Sequence, residues 1–101
     1  RSWLEHCPPH LGADCDPPLG LEGYWRRETW AERLRRSLQG LELTGHEWTS
    51  MHIEDQTAIQ ALTLICRVKG SRFQVTYKTI WFMNRKGDGP WMLHHLQGVL
   101  L

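Results

Sequence analysis

The chain has 101 residues, a net charge of +1 and 41% apolar residues, which is enough for one domain with one core and too little for two. Twelve basic residues stand against eleven acidic ones, so there is no basic excess to form a nucleic-acid footprint. No apolar run of about 18 residues exists to span a membrane, and the six tryptophans bring large rings that each bury on the order of 150–250 Å².

In chain order, "RSWLEHC" reads as the end of a helix that begins before Arg1. The first residue is not methionine, so the start is read as processed or trimmed, and no secretory signal is expected. "PPHLGADCDPPLGLEG" is dense in proline and glycine and reads as a loop or edge segment. Three cysteines are an odd and sparse set, which argues against a disulfide framework and for a cytoplasmic protein. His6, Cys7, His10, Cys15 and Asp16 are zinc-ligand types, but their spacing matches no established pattern, so neither a metal nor any other cofactor is expected.

"RRETWAERLRRSLQG" is the clearest helix. Trp30, Leu34 and Leu38 recur every fourth residue with Ala31 on the same side, while Arg and Glu fill the other. Glu28 and Glu32 come early and Arg35 and Arg36 late, as the helix dipole favours, and Gly40 is the stop. Arg26-Arg27 and Arg35-Arg36 are therefore read as a solvated face.

The remainder reads as strands: "LTGHEWTSMHIE", "TAIQALTLICRV", "RFQVTYKTIWFM" and "WMLHHLQGVLL", separated by the turns at Asp55-Gln56, "KGS" and "NRKGDGP". Short turns make these strands antiparallel neighbours. The inner run Ala61 to Cys66 barely alternates, as expected of a strand covered on both faces. Helices first and strands afterwards give an α+β domain with its helices on one face of a sheet.

The back half, from "HIEDQTAIQ" to the end, resembles the nuclear transport factor 2-like superfamily, and within it the SnoaL-like and ketosteroid-isomerase-like branch. The resemblance rests on Asp55 before Thr57-Ala58, the Thr79-to-Trp81 strand end, the Gly89-to-Trp91 hairpin, and His94-His95 on the last strand. "GYWRRETWAERL" fits the helix that follows a Gly-rich loop in that family. The resemblance implies a single SnoaL-like domain over 1–101, with a cone-shaped, strongly bent antiparallel sheet packed on N-terminal helices and a pocket between them. It implies that the long N-terminal helix is partly missing, and that the chain forms a homodimer through its sheet face. Members include isomerases, cyclases and lyases as well as non-catalytic partners, so the fold leaves function open.

A hairpin that sets Met83 near Trp91 would pair Trp81 with Leu93, Thr79 with His95 and Tyr77 with Gln97. Thr63, Ile65 and Arg67 would join that face. The resemblance places the inward histidine four residues after the hairpin tryptophan, at His95. The expected catalytic pair is His95 with Tyr77, and the expected ligand contacts are Trp81, Thr79, Gln97, Tyr24, Trp30 and Arg67. Carboxylates are scarce in the strands, Glu47 being the one well inside. The reading is therefore a binder of a small apolar or polycyclic molecule, with an isomerase, cyclase or lyase and a non-catalytic interaction domain as alternatives. His46 and His52, six residues apart, are expected on one face but about 20 Å from each other, too far to chelate together.

Overall fold

The computed structural model describes residues 7–17 and 19–101. Its elements are β1 (His10–Cys15), β2 (Glu22–Arg26), α1 (Arg27–Leu38), β3 (Leu41–Glu54), β4 (Thr57–Val68), β5 (Gln74–Asn84) and β6 (Met92–Leu100). The six strands form one sheet in the order β2-β1-β6-β5-β4-β3. All neighbours are antiparallel except β1 and β6, which run parallel. A parallel pair needs a long crossover, and the whole helix-and-meander segment between β1 and β6 supplies it.

Three expectations change here. The Pro/Gly-rich segment is not loop and edge alone: β1 lies inside it, flanked by β2 and β6, while Glu22 and Gly23 at its end belong to the edge strand β2. Pro8, Pro9 and Pro17 fall outside the strand, while Leu11, Ala13 and Cys15 alternate into the core. Gly23 to Arg26 lie in β2 and not at the start of the helix. Gly23 sits at φ +131°, and a Cβ there would lie 2.6 Å from the Trp25 ring, so only glycine fits both this backbone angle and the ring beside it. Finally, α1 is the one helix among the described residues and follows a hairpin, so helices do not precede the sheet. The segment read as an N-terminal helix lies largely outside the described residues.

The core forms between one sheet face and α1. It gathers Leu11, Ala13 and Cys15 of β1 with Leu19, Leu21, Trp30, Leu41, Cys66, Tyr77 and Leu96. Trp30 is the anchor: it is fully buried, and its indole N–H donates to the Gly12 carbonyl at 3.2 Å. The helix's outer side holds Glu32 between Arg35 and Arg36, at 2.7 and 3.2 Å, as the alternation of charge requires. The four later strands match their expected ranges to within two residues.

β3 carries two bulges, between Leu43 and Gly45 and between Trp48 and Ser50. Each adds one residue and reverses which face the following side chains take. As a result Leu41, Leu43, His46, Trp48, Met51 and Ile53 all lie opposite residues of the α1 face of β4. The same parity change separates the two histidines that were expected together. His46 pairs with Leu64 and His52 with Ile59, which project from opposite faces of β4.

Candidate functional site

An open groove of ≈ 380 Å³ lies on the α1 face, between the end of α1 and strands β3, β4 and β5. It is lined by Leu38, Leu41, Leu43, Leu62, Leu64, Cys66 and Trp81. The strand pairing explains this set: Leu62 faces Trp48 and Thr79, Leu64 faces His46 and Tyr77, and Cys66 faces Leu43 and Val75. α1 packs on β2 and β1 and touches β3, so among the described residues no helix lies over β4 and β5, where Leu62, Cys66, Tyr77 and Thr79 are nonetheless buried.

The described lining of the groove holds no ionisable side chain except the Cys66 thiol. The one polar atom of Trp81, its indole N–H, donates to Thr79 Oγ1 at 2.9 Å, and that hydroxyl donates to the Leu62 carbonyl at 2.7 Å. The tryptophan therefore presents only ring surface to the groove. Cys66 is buried, and burial pushes its thiol up, which keeps it protonated and a poor nucleophile. Among the described residues no carboxylate or histidine lines the cavity, so none of them places a general acid or base there.

The expected hairpin register is corrected by the structure. Trp81 pairs with Leu96, Thr79 with Gly98 and Tyr77 with Leu100, and a bulge follows at Phe82/Met83. The "NRKGDGP" turn is longer than a tight hairpin, and the bulge adds an unpaired residue at His94. The register thus slips by an odd number and exchanges the faces. His95 stands opposite Phe82 on the face turned away from α1, their rings 5.6 Å apart. Its imidazole lies against Gly12, where a Cβ would come within 2.7 Å of Nδ1. His94 also packs beside the Phe82 ring, and burial, then His95, lower its pKa.

Tyr77 and His95 are therefore on opposite faces and form no proton-transfer pair. The Tyr77 hydroxyl is committed to the fold: it accepts from the Leu19 N–H at 2.8 Å and donates to the Asp16 carbonyl at 3.4 Å, holding the loop after β1. Of the expected ligand contacts, Trp81 lines the groove and Thr79 lies buried behind it. Gln97 pairs with Ile80, and Arg67 pairs with Gln74 and bonds Glu42 at 2.7 Å, so both leave the groove face. Tyr24 is exposed and stacks on His10, and Trp30 is core. Thr63 pairs with Lys78 and Ile65 with Thr76, again on the other face. The groove leucines were missed because the β3 bulges leave no mark in an alternation count; the sequence signal in β3 was the apolar set Leu41, Leu43, Trp48, Met51 and Ile53.

Cys7 and Cys15 are buried while His10 is exposed, and His6 lies outside the described residues. Among the described residues no three His, Cys, Asp or Glu side chains gather as metal ligands, and no helix is long and apolar enough to cross a membrane.

Strand order and the single crossing helix define an α+β sheet protein. A DUF4783 family protein from Bacteroides uniformis superposes with a TM-score of 0.77 at 6% identity, over 97% of this chain and 82% of its own. An NTF2-like protein from Cytophaga hutchinsonii gives 0.61 at 13% identity, over 97% and 79%. A hexachlorocyclohexane dehydrochlorinase, LinA type 2, gives 0.66 at 13% identity, over 96% and 68%. The chain has the nuclear transport factor 2-like fold. No protein-family model and no curated protein sequence matches it.

Proposed function

We propose that the chain binds an uncharged, apolar small molecule in the groove between α1 and β3–β5. The observation that carries this is the groove's lining: six apolar side chains and a protonated thiol, with the Trp81 N–H already bonded. A ligand entering it exchanges water for hydrocarbon contact and meets no unpaired polar group. The same lining supports binding over chemistry, since isomerase, cyclase or lyase action needs a proton donor or acceptor at the reacting atom and the described lining residues offer none. The fold is shared with a dehydrochlorinase, but fold alone does not transfer a reaction.

Titration with the uncharged fluorophore N-phenyl-1-naphthylamine tests the proposal. Saturable binding of one probe per chain is expected, with energy transfer from Trp81. Leu43→Glu places a charge at the half-exposed rim and should raise Kd at least about tenfold, or ~1.4 kcal/mol, with an unchanged circular dichroism spectrum. Unsaturable binding, or equal Kd in the variant, would refute it.

The opposite face supports a second proposal, a homodimer through the sheet. Tyr24, Gly12, His95, Phe82, Ile59 and His52 form one row across all six strands, with Tyr24 and Ile59 exposed in it and Val99 exposed further along β6 on the same face. Phe82→Glu should lower the solution mass if this face is an interface. A native mass of one chain at micromolar concentration would end this reading.

A further inference from the structure

We infer that the outer edge of β3 is a self-association site for a second copy of this chain, which adds antiparallel to β3 across a two-fold axis between Thr49 and Ser50. This contact is separate from the sheet-face dimer proposed above.

β3 is an edge strand of 14 residues. Edge strands offer a row of unpaired N–H and C=O groups, and long apolar ones are templates for pairing. Natural edges are usually short, charged or covered. This one has Leu43, Trp48, Met51 and Ile53 all more than half exposed. α1 meets β3 only near Leu41, and nothing among the described residues lies along the edge from His46 to Glu54.

The residue pattern selects a register. In the pairing that sets residue 49 against residue 50 of the other copy, Trp48 meets Met51 and His46 meets Ile53, all on the α1 face. Glu47 meets His52 on the other face, and by symmetry this happens twice. The match of faces depends on the Trp48/Ser50 bulge: without that extra residue Trp48 and Met51 would point to opposite sides. Sliding the second copy by two residues sets Glu47 against Ser50 one way and against Glu54, a like charge, the other way. The chosen register is the one in which Trp48 meets Met51 and the Glu47 carboxylate meets the His52 imidazole. His52 already lies 3.4 Å from Glu54, so the incoming Glu47 would complete a small charge cluster and not face an isolated histidine. The partner is identified by this self-complementarity: an unrelated strand would have to reproduce the same bulge offset.

The test uses full chains carrying single cysteines. The native Cys7, Cys15 and Cys66 are buried and serve as the background. The Glu47→Cys chain is mixed with the His52→Cys chain under mild oxidation. Paired positions across antiparallel strands lie within disulfide reach, so a covalent heterodimer is expected, and neither variant alone should cross-link. A mixture of Glu47→Cys with Glu54→Cys is the register control and should remain monomeric on a non-reducing gel. In solution, Glu47→Lys should raise the dissociation constant of the edge contact at least tenfold, and adding His52→Glu should restore it. These measurements are made in the Phe82→Glu background as well, which removes the sheet-face contact and leaves the edge contact intact. No cross-link between positions 47 and 52, or equal cross-linking of 47 with 54, overturns the inference whatever becomes of the groove and the sheet-face dimer.

Discussion

Three side chains carry most of the residue-scale logic. His95 fits against the backbone of Gly12, so Gly12→Ala forces the imidazole to move and should cost about 1–3 kcal/mol. The same substitution in a His95→Ala background should cost markedly less, and a double-mutant cycle with no coupling would show that the two do not touch. The Tyr77 hydroxyl accepts from Leu19, and Tyr77→Phe leaves that N–H buried and unpaired, at about 1–3 kcal/mol. Hydrogen exchange should then accelerate between residues 16 and 21. His94 makes a pH prediction. Its pKa is lowered by burial and by His95, so near pH 6 the unfolded chain binds more protons than the folded one, and stability rises with pH. This contribution is intact above about 6.5, the ordinary histidine value, and is lost as pH falls through the lowered folded value. His94→Gln should flatten the slope of unfolding free energy below pH 6.5; an unchanged slope would assign it to other groups.

At the scale of elements, α1 is a helix of 12 residues that would be marginal alone and is held by one deep anchor. Trp30→Phe keeps most of the ring burial but removes the indole N–H bond to the Gly12 carbonyl, so a loss of about 0.5–1.5 kcal/mol is expected by urea unfolding. This helix was legible because its 3.6-residue period is strong and its charges are ordered end to end. The later strands were legible for a similar reason: β-branched and aromatic runs end at Asp55-Gln56 and at Gly70. β1 was not, because prolines on both sides masked a period-two pattern of only three apolar residues, Leu11, Ala13 and Cys15. The pairing of β5 with β6 was also out of reach, since the length of a turn does not reveal the bulge beside Phe82.

For the whole molecule, the consequence is an asymmetric sheet. One half of its α1 face is sealed by Trp30, Leu21 and Leu96, and the other half opens into the groove of Leu43, Leu62, Leu64 and Trp81. An occupant of that groove should stabilise the chain by mass action, by about 2.7 kcal/mol at a hundredfold excess over Kd. Thermal denaturation with and without the naphthylamine probe measures this, and an unshifted midpoint at saturation would count against a groove that binds the folded state.

The sequence by itself determined the α+β class and the positions of α1 and of the four later strands. Those are properties of local period and composition. Only the tertiary structure decided which face each strand residue takes, and therefore that His95 and Tyr77 stand apart and that the β3 leucines and tryptophan share one side. The physical reason is the two-residue period of a strand: a single bulge, energetically minor and silent in composition, exchanges every side chain beyond it between core and solvent.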